Sequence, residues 1–148
     1  MSAFDTLIAA FAAKLAVATA ISTRIVTDLD DLDALPASYT DAIVINLQNA
    51  DPEQLGGILG NPVDWVTTVT VRCMASATGA TARTAAGTLA SAAYARLATD
   101  PTLGIATASG VHIGEPAIGW ELGQAATRFC ACTLTYSVRH RTTSLTLE

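Results

Sequence analysis

Five side chains in this sequence could act as soft metal ligands, nucleophiles or bases near neutral pH: Cys73, Cys130, Cys132, His112 and His140. A thiolate beside an imidazole would be a covalent catalyst, and three thiols with one imidazole could be drawn as a zinc site. The spacing argues against both. Cys130 and Cys132 are one residue apart, so on an extended strand they share a face and diverge from the tight knuckle that structural zinc requires. Neither histidine has a partner at ligand spacing, and no glycine-flanked nucleophile turn accompanies the thiols. An odd number of cysteines without paired spacing also makes a disulfide framework a poor reading. Buried thiols acting as small hydrophobes in a reduced interior account for all three.

Clustered carboxylates at Asp28, Asp30, Asp31 and Asp33 could attract a hard cation such as Ca²⁺. They do not fit the EF-hand loop. Leu32 stands at the fifth ligand position, Asp33 replaces the glycine of the sharp turn, and Tyr39 falls where a bidentate Glu belongs. A solvated acidic loop or a charged contact patch is the better expectation. Gly56-Gly57 with Gly60 lacks the Lys-Ser/Thr of a phosphate loop, and Gly104, Gly110, Gly114 and Gly119 are scattered as turns and bulges would be. Arg139, His140 and Arg141 form a small basic end, opposite in sign to the acidic run. A head-to-tail contact between copies could use the two together, which makes Asp28, Asp30, Asp31, Asp33, Arg139 and Arg141 the candidate subunit-contact residues. No residue is assigned to catalysis, cofactor binding or metal binding.

The elements that must position these groups follow from periodicity. Phe4, Leu7, Ile8, Phe11, Leu15 and Ala18 recur at steps of three and four, which predicts a helix over residues 3–18, with Asp5 near its positive end. Arg24 to Leu29 is a weak strand, Ala42 to Leu47 a stronger one, and residues 50–62 a long connection. From Val63 the period is two: Val63, Trp65, Thr67, Val69, Val71, Cys73 and Ala75 share an apolar face opposite a wet one. Thr81 is read as the cap of a helix through Thr99, with a stripe of mostly small residues at Ala82, Ala85, Ala86, Leu89, Ala93 and Leu97. Asp100-Pro101 stops it. A strand disturbed at Pro116, a turn at Gly123-Gln124 and a strand from Ala125 to Arg141 close the fold. In that last strand Cys130, Cys132, Leu134, Tyr136 and Val138 form the apolar set. Trp65 and Trp120 both lie in register with aliphatic neighbours and are expected in the core. The order is α-β-β-β-α-β-β: an α+β domain with two helices on one face of a mainly antiparallel sheet.

With 148 residues, one domain is expected, over residues 1–141, followed by a C-terminal tail over 142–148 in which Leu147-Glu148 reads as a vector scar. Eight Lys+Arg against 13 Asp+Glu give a net charge of −5, which excludes a generic basic nucleic-acid binder. Charged residues are only 14% of the chain, where soluble domains carry about 25%. Such a surface must be covered by Thr, Ser, Ala and Gly, or by other subunits, and the second reading is preferred. The apolar stretch from Met1 to Ala20 is interrupted by Asp5 and Lys14 and lacks leading basic residues, so it reads as a retained helix rather than a signal segment. No uninterrupted apolar run is long enough to span a membrane.

In its layout the chain resembles the tail terminator proteins of long-tailed phages, the lambda-type minor tail family. The likeness is carried by the amphipathic first helix, Leu35-Pro36 before the AIVINL strand, and Asp64-Trp65-Val66 opening a long strand. It continues in the Ala-rich helix, Asp100-Pro101-Thr102-Leu103-Gly104, and a closing strand ending Leu134-Thr135-Tyr136. The resemblance implies a structural virion protein without catalysis or cofactor. Its partners would be its own copies in a hexameric ring, the tail tube protein and a head-completion protein. DNA would pass through the lumen without specific binding. The protein would reside in the virion tail and, during assembly, in the host cytoplasm. Other readings are a different phage neck or head-tail joining protein, and a small cytoplasmic enzyme or ligand-binding domain. The last would require a deep pocket near Cys73, His112 or Cys130.

Overall fold

The computed structural model describes residues 2–16, 20–22, 24–27, 39–53, 59, 61–76, 80–105, 110–122 and 129–142. Helix α1 (Ala3–Ala16) starts from a reciprocal cap. The Ser2 hydroxyl accepts from the Asp5 amide at 3.2 Å, while the Asp5 carboxylate accepts from the Ser2 amide at 2.9 Å. These bonds from Ser2 hold the Asp5 carboxyl below its ordinary pKa. Leu7, Ile8, Phe11 and Leu15 form the buried stripe, as their spacing demands, and Ala18 lies outside the described residues.

Strand β1 (Ile25–Thr27) runs parallel to β2 (Asp41–Pro52), and all other pairings are antiparallel. β2 extends five residues beyond the expected end at Leu47. A register shift between Leu47 and Asn49 absorbs one residue as a bulge, and the ladder with β3 (Val63–Ser76) then continues to Pro52 opposite Trp65. Pairing therefore overrides the turn signal of Asp51-Pro52. Helix α2 (Ala80–Ala98) begins one residue before Thr81, so Thr81 lies in its first turn rather than at the cap position. The strand disturbed at Pro116 divides into β4 (His112–Ile113) and β5 (Ala117–Leu122), both paired to β6 (Phe129–Thr142). Thr142, expected to open the tail, is the last residue of β6 and accepts a hydrogen bond from Trp65 Nε1 at 2.9 Å. The turn expected at Gly123-Gln124 lies outside the described residues.

The six strands form one mixed sheet in the order β1-β2-β3-β6-β4, with β5 on the same side of β6 as β4. Both helices cover one face. This is the expected α+β architecture. Ile43, Ile45, Val69, Val71, Cys73, Cys132, Leu134 and Val138 from the sheet meet Leu7, Phe11, Leu15, Ala86, Ala93 and Leu97 from the helices in one core. Each fully buried Leu, Ile or Phe contributes roughly 1.5–3 kcal/mol relative to exposure. The alanine stripe lets α2 lie close over β3 and β6. α1 is tied to α2 by Arg96 Nη1, which donates to the Leu15 carbonyl at 3.1 Å, and by Lys14 Nζ on Asp100 at 2.9 Å. The opposite face is not uniformly wet: Ala42, Val44, Met74, Phe129 and Ala131 make a second, smaller buried cluster at one end. A strand's period shows which face a residue takes, not what covers that face.

His140 lies on the helix-facing side of β6, buried, with its Nε2 2.7 Å from Thr67 Oγ1 and its ring 5.1 Å from Phe4. Burial disfavours the imidazolium and lowers its pKa below the ordinary 6.5. The unfolded chain therefore takes up this proton first as pH falls, and stability present above pH 6.5 declines below it. Thermal melts from pH 7 to pH 5 are expected to show falling Tm, with the slope flattened in His140→Asn. The carboxylates held low, Asp5, Asp64 and Asp100, lose their contribution only in more acid solution.

Candidate functional site

The three thiols stand in the core. Cys73 is directly opposite Cys132 on β3 and β6, Cys130 is opposite Ala75, and none is bonded in a disulfide. Burial pushes the Cys73 thiol up to about 12 and raises Cys130 and Cys132 as well, so the nucleophilic thiolate is suppressed. His112 is exposed and sits opposite Arg139, seven positions along β6 from Cys132, about 23 Å at strand rise. Thr67 and His140 form a hydroxyl–imidazole contact, but both are buried and engaged with the α1 side of the core. Among the described residues, no three His, Cys, Asp or Glu side chains come together as a metal site.

The candidate contact residues divide. Asp28, Asp30, Asp31 and Asp33 lie outside the described residues, following β1 in the chain. Arg139 and Arg141 are on the face opposite the helices, and each has an acidic partner within the chain. Arg141 holds Asp64 through two bonds, Nε to Oδ1 at 2.7 Å and Nη2 to Oδ2 at 2.8 Å, and Arg139 Nη2 lies 3.3 Å from Glu53 Oε1. The Arg141 guanidinium keeps the Asp64 carboxyl below its usual range. Both arginines therefore already serve as cross-strand ties at the end of β3 and β6 (Asp64 opposite Arg141).

A different surface stands out. β4 and β5 pair with β6 along one side, and among the described residues β5 has no strand on its other side. Ile118 and Trp120 alternate on its helix-facing side, opposite Leu134 and Cys132, yet Ile118 is 60% and Trp120 52% exposed. Trp120 is thus not a core residue. It occupies the expected face, but α2 covers this part of β5 only in part, approaching the indole closely at Gly87. A Cβ built on Gly87 would lie 2.9 Å from Trp120 Cη2, so the absence of a side chain there is what seats the ring. Ser91 and Tyr94 of α2 continue the wall of this apolar groove, about 230 Å³ in volume, and Tyr94 is itself 37% exposed. Trp65 takes the expected helix-facing side and packs edge-on against Phe4 at 5.8 Å, but it is half-buried at the margin of the core rather than within it. No family model and no curated protein matches this chain.

Periodicity misassigned Trp120, but a local signal was present: Pro116 immediately precedes this short strand and Gly119 lies within it, both residues that weaken a central strand assignment. Gly87→Ala is expected to push the Trp120 indole further into water while leaving Trp65 in place. Tryptophan emission should shift to the red and acrylamide quenching increase, with Tm little changed, because alanine gains about 1 kcal/mol in helix propensity against the lost ring contact.

Proposed function

We propose that the protein is a structural subunit that assembles with its own copies into a ring, caps a phage tail tube, and helps join tail to head. The observation that carries the self-assembly reading is the β5 edge, which no strand covers among the described residues, with Ile118 and Trp120 exposed beside Tyr94. An uncovered edge strand offers a row of backbone donors and acceptors, and exposed apolar side chains beside it favour a protein partner over water. The low charge content agrees, since a ring subunit has two lateral flanks to bury. The ring and tail assignment rests on the resemblance in element order; the two helices and the closing long strand of that layout are present. Suppressed thiols and the engaged His140 give no support to a thiol-dependent enzyme. A small ligand-binding domain has one feature in its favour, a cavity beside His112.

The test combines light scattering with tube assembly. The chain is expected to form a discrete ring at high concentration or on tubes of a long-tailed-phage tail tube protein, and to halt tube growth. The double variant Ile118→Glu, Trp120→Glu should keep the monomer's Tm and lose the ring. A ring that survives this variant removes β5 from the interface; tubes that grow unchecked in the presence of the wild-type chain contradict the capping role.

A further inference from the structure

We infer that His140 is a proton-operated latch for the first turn of α1: protonation of its ring releases Phe4 from the sheet while the β3–β6 ladder stays paired. The latch is independent of the tail-ring reading, and it opens before the whole fold does.

Phe4 is the wedge. Its ring stands edge-on to two partners, His140 at 5.1 Å and Trp65 at 5.8 Å. Trp65 Nε1 donates to Thr142 Oγ1, and His140 Nε2 lies 2.7 Å from Thr67 Oγ1. His140 is 4% exposed and Thr67 is fully buried, whereas Phe4 and Trp65 are half-buried. Water therefore reaches the imidazole once a single helix turn at the margin of the core moves aside. The neutral ring suits this place, because Nε2 and the Thr67 hydroxyl need only one proton between them. The imidazolium does not. Both of its nitrogens donate, it has lost its water, and among the described residues no carboxylate faces it. Asp5 of α1 is exposed and turned to Ser2, and Asp64 of β3 is on the opposite face of the sheet with Arg141. Arg139 of β6 and His112 of β4, paired in register, lie on that opposite face too. Burial thus holds the His140 pKa below 6.5, and the open form takes up the proton first. One proton linked to opening raises the open population about tenfold for each pH unit below 6.5, until the closed form itself titrates.

The far end of α1 has its own anchors. Phe11 and Leu15 are buried, Arg96 holds the Leu15 carbonyl, and Lys14 holds Asp100, whose carboxyl is kept down to about 2 by its bonds from Thr102 and Lys14. Acid that protonates His140 leaves these in place.

Trp120→Phe makes Trp65 the only tryptophan, and the full chain is followed from pH 7.5 to pH 5 by acrylamide quenching and amide-exchange protection. Quenching of Trp65 should rise, and protection at Thr6 and Leu7 should fall about tenfold per pH unit below 6.5 while staying well below that of the β3 and β6 amides. His140→Gln keeps a hydrogen-bonding group near Thr67 and should abolish the pH response of both. Phe4→Ala, at a half-buried position that the fold can spare, should leave Trp65 quenchable at pH 7.5 and let the His140 ring titrate close to 6.5 by NMR; it decides the matter if His140→Gln does not fold. A flat response of Trp65 and α1, an undiminished response in His140→Gln, protection at Thr6 and Leu7 equal to that of the ladder, or a His140 titration unmoved by Phe4→Ala would overturn the latch.

Discussion

The rest of the structure depends on the ladder between β3 and β6. Fourteen residue pairs, from Val63 opposite Thr142 to Ser76 opposite Phe129, lock two long strands in one uninterrupted register. Because side chains alternate, that register alone decides that Val69, Val71, Cys73, Leu134, Tyr136 and Val138 all face the helices; a slip of one residue would turn the whole set outward. β2 extends the sheet on one side, and β4 with β5 on the other. The ladder thus creates both the floor on which α1 and α2 rest and the edge on which Ile118 and Trp120 are presented.

Much of this was legible in the residues themselves. The strict alternation of β3 and β6 gave the core face, and the three-and-four spacing of Leu7, Ile8, Phe11 and Leu15 gave the buried side of α1. Features that depend on which strand lies next to which were not legible. The parallel placement of β1, the bulge that carries β2 to Pro52, and the ion pairs of Arg139 with Glu53 and Arg141 with Asp64 all follow from register between distant segments. Trp120 shows the same limit in another form. Its face could be read from alternation, whereas its exposure comes from its place on a strand outside β6 that an alanine-rich helix covers only in part.

Surface chemistry then narrows what the fold can do. The thiols are suppressed by burial, and the one histidine in the core is spent on Thr67 and Phe4. Among the described residues, a seam runs along α2, with an apolar groove at Gly87 and Trp120, a cavity at Pro101 and Tyr136, and Tyr94 shared by both. In the proposed ring, contact between copies would cover this seam, in keeping with the low share of charged residues.

The most direct measurement is hydrogen exchange of the β5 amides, Ala117–Leu122, in the dilute chain and in the chain assembled on tail tubes. If copies cover this edge, these amides should exchange quickly when dilute and become strongly protected on assembly, while the β3–β6 ladder stays protected in both. Equal, rapid exchange of β5 in the two states would contradict the central claim.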